Sequence, residues 1–340
     1  MNLTVRQGET MDLVETLRNK IDSLEEGTHT PGLRAVVLHI ETAFRHLERG
    51  QTEQDETAFT DAIYRTNQAF EGSIKEAYRV LAEKEPAKKR PYDIEKYLEE
   101  NQVFRRRVLG QFTNYRTEWR NPSAHDYKLD FDESEAFLAI VNISAFACLV
   151  MDQIAQQLAY LHAKEGADSK KAESVEPSVP IEDGLVQQTT ALFQSFSREQ
   201  LRFEADNPRK TEMQVVGALT GFLASVAPDI RVQVDPLLST DRGDRGDMLL
   251  SKDEESVLVE LKNGRWARKN YYNAITQVEH YLLVSGLKSA ILYFYDDEPF
   301  EPVVKTHEVP ALDACITVIS PSETLPNKAN AADTKACAAD

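Results

Sequence analysis

Apolar residues recur at three- and four-residue spacing along the first half of the chain, and gather into short runs between about residues 246 and 295. The first pattern predicts helices. A short amphipathic segment covers Met11 to Glu26 and ends near Gly27. Pro31 opens a longer helix to Gly50, with Leu33, Val36, Val37, Ile40, Phe44 and Leu47 on one stripe. A second long helix runs from about Gln54 to Glu83 and is broken by Pro86. A third starts after Pro91 and reaches about Trp119. The fourth begins near Asp132-Glu133 and carries Phe137, Leu138, Ile140, Val141, Ile143, Phe146, Leu149, Val150, Ile154 and Leu158. Four long helices with short connections predict an up-down bundle over residues 1–163. The fourth helix is the most apolar, which places it at the bundle centre or in a dimer interface as well.

Residues 164–181 are polar, charged and proline-bearing, as an interdomain linker would be. Beyond them the pattern changes. Met248 to Leu250 and Val257 to Leu261 are apolar and β-branched, and the polar stretch Ser251 to Ser256 between them predicts a hairpin turn. A helix over Asn270 to Val284 and a buried strand, Ser289 to Tyr295, follow. The expected fold class is therefore α plus α/β. A helical domain is joined to a mixed sheet flanked by helices over residues 182–320, and residues 321–340 are expected to be a disordered tail.

At 340 residues, two domains each have enough chain for a core. No apolar run in the sequence approaches a membrane span and no basic-then-apolar leader opens it, so no membrane association is expected. The three cysteines (Cys148, Cys315 and Cys337) have neither disulfide nor metal spacing, which points to a reducing, cytoplasmic setting. The net charge of −17 changes the picture more. Residues 1–163 hold 20 basic against 27 acidic side chains, and residues 180–320 hold 14 against 22. Neither half is a basic nucleic-acid domain, so any contact with phosphate must use local basic clusters.

The strongest chemical signal lies at residues 246–262. Successive strand residues point to opposite faces, so Glu260 and Lys262 emerge together while Leu261 enters the core. Asp247, opening the partner strand, can lie beside them. Two carboxylates with room for water suit Mg²⁺ or Mn²⁺, and an adjacent lysine can orient or deprotonate an attacking water. The bland alternative is an exposed Glu-Lys pair on a strand. The set resembles the PD-(D/E)XK restriction-endonuclease-like superfamily over about residues 180–320. That resemblance implies Asp247 and Glu260 as metal ligands, Glu212 in the preceding amphipathic segment as an extra acid, and Lys262 as the catalytic lysine. Gln277, four residues before Tyr281, matches the Gln-x-x-x-Tyr element of one branch and would orient the lysine or a phosphate. Gly246 stands where the family often has proline. Arg242, Arg245, Arg265, Arg268 and Lys269 flank the site as candidate phosphate contacts.

A second constellation, Arg120-Asn121-Pro122-Ser123-Ala124-His125, lies between the third and fourth helices. A histidine titrating near neutrality can exchange protons with ribose or leaving-group oxygens, and a guanidinium can stabilise phosphate charge. Asn121 would orient one of them, and Pro122 would break the helix and fix the turn. As an ordinary structural turn, Arg120 and His125 would cap helix ends instead. Position and spacing resemble the Arg-x₄₋₆-His motif of the HEPN family. The resemblance, over about residues 30–163, implies a metal-independent ribonuclease site with no cofactor, completed across a homodimer of the helical domain. Arg105, Arg116 and Arg120 fall close to one helical stripe that could guide RNA. Equally, they could be solvated arginines paired with Glu95, Glu99 and Glu100.

Together the two resemblances imply a nuclease acting on RNA, DNA or both, of the kind used in bacterial antiviral defence or restriction. Three alternatives stay open: only the C-terminal site cuts, only the helical site cuts, or both domains are binding modules of a regulatory protein.

Overall fold

A computed structural model describes residues 12–125, 130–173, 184–199 and 210–321. The chain divides into two compact units, Gln157 closing the first and Leu158 opening the second.

The first unit is helical. α1(Leu13–Asp22) is capped by the Asp12 carboxylate, which accepts from the Val14 N–H at 2.8 Å. α2(Thr30–Glu53) has proline in its first turn and ends at Gln54, which adopts the left-handed region at φ 54°. α3(Thr57–Val80) returns alongside it. Gly50 makes that hairpin close, because a Cβ there would come within 2.4 Å of the Phe59 ring. The expected third helix is not continuous. α4(Pro91–Glu100) stops where the Asn101 amide turns back to the Tyr97 carbonyl and Gln102 goes left-handed at φ 51°. α5(Arg106–Tyr115) then runs into a π-helical turn, Arg116–Arg120, and α6(Asn121–His125). Pro122 does not break this segment. It falls in the first turn of α6, directly after the π turn, where a missing N–H is tolerated.

Phe70 of α3 sits at the centre of this unit, with ring centroids 5.5 Å from Phe112, 5.0 Å from Tyr115 and 5.4 Å from Phe146. Phe146 belongs to α7(Glu133–Glu173), whose Ala136, Ile140, Ile143, Val150 and Ile154 are all buried. Among the described residues, the part of α7 from Glu133 to Lys170 is the one helix long and apolar enough to cross a membrane by length and composition, unlike the sequence expectation. Half of its most apolar window is buried inside the protein. α7 also runs through the expected start of the linker at residue 164. Its Ala159, Ala163 and Ala167, at four-residue spacing, pack into the core of the second unit, while Lys164, Glu165 and Ser169 face outward. That alanine stripe is hidden by the polar residues between, and residues 174–181 of the expected linker lie outside the described residues.

The second unit is a six-stranded mixed sheet in the order β1-β2-β3-β4-β6-β5. β1(Arg231–Val234), β2(Met248–Lys252) and β3(Glu255–Asn263) are antiparallel neighbours. β3 pairs in parallel with β4(Ser289–Tyr295), and β4 with β6(Ala314–Pro321). β5(Pro302–Val309) closes the far edge antiparallel to β6. The β2–β3 turn is tighter than the sequence suggests. Ser251 and Ser256 are paired strand residues, and the turn is Asp253-Glu254 with Asp253 at φ 52°.

Helices cover both faces. α8(Leu185–Glu199) and α9(Glu212–Val226) pack on the side of Val257, Val259 and Leu261. α10(Ala267–Ser285) packs on the side of Leu258, Leu292 and Phe294 through Ala274, Ile275, Val278 and Leu282. Covering both faces explains why β4 is buried at every position after Ser289 rather than alternating. β1, β5, β6 and α8 were not legible in the pattern. β1 and β5 are edge strands with mixed polar sequences, and β5 carries exposed Lys305 and Thr306.

Truncating Phe70 to alanine removes a ring packed on three sides. The variant is expected to lose about 3–5 kcal/mol of stability, read from urea unfolding followed by the helical signal. A loss under about 1 kcal/mol would mean that the cluster is not the centre of the core.

Candidate functional sites

Strand alternation and chain pairing build the first site. Glu260 and Lys262 leave β3 on the α10 side, and Lys262 Nζ lies 2.6 Å from Glu260 Oε1. Asp247 precedes β2, the antiparallel neighbour of β3, and its Oδ2 accepts the Leu261 N–H at 2.7 Å. That bond fixes Asp247 across from Glu260, and the two carboxylates interact side chain to side chain. Two acceptors in contact require a shared proton or a cation between them. Glu260 is 3% exposed, and its Oε2 has no hydrogen-bond donor. Glu212 opens α9 behind a capping box made by Thr211 and Gln214, and acts electrostatically on Asp247, Glu260 and Lys262.

Burial and then the Asp247 charge push Glu260 up to about 7, against the pull of Lys262. Asp247 is raised chiefly by burial, and Glu212 by burial and by Asp247. For Lys262, burial works against the charged form, but Glu260, Asp247 and Glu212 outweigh it and raise its pKa. Lys262 is therefore an ammonium at neutral pH. An ammonium held there can orient a water or stabilise developing negative charge.

Gly246, in place of the family's usual proline, has a local cause. A Cβ at this position would approach Leu258 Cδ1 within 2.6 Å. Gln277 is turned along α10, its Nε2 donating to the Tyr281 hydroxyl at 2.7 Å. Tyr281 in turn senses Glu260, Lys262 and Asp247, so Gln277 reaches the site through it. Two of the flanking arginines are engaged. Arg265 pairs with buried Asp297 at 2.5 Å, and Arg245 with Asp235 at 3.0 Å. Arg268 and Lys269 belong to α10, but their side chains lie outside the described residues.

Among the described residues, no three His, Cys, Asp or Glu side chains close on one point to enclose a metal ion by themselves. The donor set suits an ion that keeps most of its water and takes one or two carboxylates, which is how Mg²⁺ is usually held. The donorless contact between Asp247 and Glu260 fits such an ion.

The second site lies in the helical unit. Arg120, at the end of the π turn, lines a cavity of about 680 Å³ with His46 of α2, Asp61, Tyr64, Arg65 and Asn67 of α3, and Ser123 of α6. A buried polar chain holds this wall. The hydroxyl of fully buried Tyr115 lies 2.7 Å from Thr66 Oγ1 and 3.0 Å from Asn67 Oδ1, donating to them. Asn67 Nδ2 donates to Ser123 Oγ at 2.7 Å, and the Ser123 hydroxyl donates to the Trp119 carbonyl at 2.6 Å. The turn that carries Arg120 is thus tied to α3. Glu95, buried on α4, is raised by burial, with Arg120 and Arg116 opposing.

Asn121 is exposed and makes no side-chain hydrogen bond to another described residue. His125 closes α6, and its side chain lies outside the described residues. Arg116 pairs with Glu99 at 2.9 Å and stacks on Phe112, the paired alternative for that residue. Arg105 immediately precedes α5 and lines a separate cavity with Asn101 and Gln153. The expected stripe presumes a regular α-helix from Arg105 to Arg120, which the π turn over Arg116–Arg120 removes. The sequence did hold a signal for the α3 wall. Asp61, Tyr64, Arg65 and Gln68 form a polar stripe at helical spacing opposite the buried one.

Comparisons of the chain with protein-family models, curated proteins and solved structures find no match.

A carboxyl whose folded pKa, about 7, exceeds its ordinary 4.5 favours the folded state only while protonated. Its contribution is complete below about 4.5 and is lost as pH rises toward 7. In EDTA, wild-type protein is expected to melt about 5 °C lower at about pH 8 than at about pH 5.5, and Glu260→Gln by clearly less. Added Mg²⁺ should shrink the wild-type difference. Identical pH dependence in wild type and variant would show that the buried carboxylate carries no such strain.

Proposed function

We propose that the chain is a nuclease, with a metal-dependent phosphodiesterase of the PD-(D/E)XK type in its second unit. The observation that carries this reading is the buried, donorless contact of Asp247 with Glu260 beside the Lys262 ammonium. The element order α9, β1-β2-β3, α10, β4 supports it, since it places an acid at the head of β2 and the Glu-x-Lys on β3, as the resemblance expects. Asp247 and Glu260, with Glu212 assisting, would hold Mg²⁺ or Mn²⁺, which supplies a Lewis acid for the phosphate and lowers the pKa of the attacking water. Lys262 donates to that water or to the phosphate oxygens as charge builds there. Gln277 holds Tyr281 at the rim.

A second reading, favoured by the Arg120 cavity, gives the helical unit a metal-independent ribonuclease site of the HEPN type. Arg120 would meet the phosphate and His125 would exchange protons, with a homodimer of this unit bringing two such sites together. Two nuclease chemistries on one chain suit a bacterial antiviral or restriction effector, by analogy with how both families are used.

Cleavage of labelled single-stranded RNA and duplex DNA, in Mg²⁺ and in EDTA, separates the readings. Lys262→Ala is expected to lower Mg²⁺-dependent cleavage by at least about 100-fold, with melting unchanged within a few degrees. Arg120→Ala and His125→Ala should do the same to cleavage in EDTA and leave the Mg²⁺-dependent reaction intact. Full Mg²⁺-dependent activity in Lys262→Ala would sink the first assignment. Full EDTA-resistant activity in both helical variants would sink the second.

A further inference from the structure

The wall of the Arg120 cavity facing α6 is explained by the polar chain through Asn67, but the opposite wall is not. There, His46 of α2 lines the cavity with its side chain 20% exposed. Its Nδ1 faces Asp61 Oδ2 at 3.9 Å, beyond hydrogen-bond length. Asp61 is itself held by Arg49, whose Nη2 lies 2.8 Å from the same oxygen, and Arg49 also reaches Asp55 at 3.2 Å. A carboxylate beside Nδ1 favours the tautomer with the proton there, leaving Nε2 as the free base. Arg65, one helical turn after Asp61, lines the same cavity as Arg120. One cavity therefore offers an imidazole with a carboxylate partner, two guanidiniums, the exposed ring of Tyr64, and Glu71, whose charge is paired by Lys75 at 2.6 Å.

We propose that His46 is the general base of the helical site, acting on single-stranded RNA whose scissile phosphate is held by Arg120 and Arg65. This rests on the reading of that site as a ribonuclease. His46 Nε2 takes the proton of the ribose 2′-hydroxyl, and the 2′-oxygen forms a bond to phosphorus. The bond from phosphorus to the 5′-oxygen breaks, and that oxygen leaves with a proton from the proton-exchanging His125 of that reading, which solvent then restores. His46 then returns its proton to solvent. The products are a 2′,3′-cyclic phosphate and a 5′-hydroxyl, with no metal, oxidant or co-reactant consumed.

The charges around His46 suit a base. Burial lowers its pKa, the guanidiniums of Arg49, Arg65 and Arg45 add to this, and Asp61 opposes. The imidazole is thus neutral at pH 7 and can accept a proton. The rate of cleavage should fall on the acid side as His46 protonates.

The test is cleavage of labelled single-stranded RNA by the full chain in EDTA across pH, for wild type, His46→Ala, His46→Gln and Arg120→Ala. His46→Ala is expected to lose at least about 100-fold in rate and the acidic limb of the profile. Added imidazole should restore part of the loss, and products should end in a 2′,3′-cyclic phosphate. His46→Gln, which keeps the side-chain volume, should behave the same way if alanine impairs folding. Activity in the His46 variants within about threefold of wild type, with Arg120→Ala inactive, would overturn the role of His46 and keep the ribonuclease reading. A loss with an unchanged acidic limb and no imidazole rescue would make His46 structural and also overturn the proposal. Wild-type protein that cuts no RNA in EDTA would overturn the ribonuclease reading, and the role of His46 with it.

Discussion

The contact between Asp247 and Glu260 is the constraint on which the second unit turns. Nothing in packing requires two carboxylates to meet under a helix, and burying them works against folding. The chain nevertheless places them there by its most rigid means, a backbone hydrogen bond from Leu261 and the pairing of β2 with β3. β4 lies on the other flank of β3, and α10 covers the face that holds Glu260. Each surrounding element contributes one charge or dipole: Glu212 from α9, Lys262 from β3, and the Gln277-Tyr281 pair from α10. The site is therefore a strained, preorganised acceptor pair with a fixed cation beside it, and its need for a further positive charge follows from electrostatics alone.

The helical unit solves a different problem. Its core is aromatic around Phe70, but one side of it carries a chain of hydroxyls and an amide from Tyr115 to Ser123. A fully satisfied buried network of this sort rigidifies what it touches. What it touches is the π turn, and the π turn sets where Arg120 stands.

How much of this the sequence revealed depends on the range of the interactions. The grouping of Glu260 with Lys262 is a two-residue alternation, and Asp247 follows from a hairpin, so both were legible. The register of Gln277 with Tyr281 was legible too, but not that the amide spends its donor on the tyrosine. Arg245 and Arg265 look like free phosphate contacts in the sequence, because Asp235 and Asp297 reach them only through folding. His46 and Asp61 lie on different helices and far from the Arg120 motif, so only the packing of α2 and α3 brings all three to one cavity. The expected linker shows the opposite error. Polar composition there reads as the end of a helix, but α7 runs on to Glu173, with Ala159, Ala163 and Ala167 on its buried side.

The π turn has one more consequence, for how this chain is compared with others. A π turn behaves as a single-residue insertion into an α-helix. Residues on its two sides, Tyr115 and Ser123 for example, are out of phase by one position with any relative that keeps a regular helix. An ungapped alignment through this region would pair the core of one chain with the surface of the other, whereas the Arg120–His125 spacing after the turn would still match. Common ancestry in this unit should therefore be sought with a one-residue gap allowed between Tyr115 and Asn121.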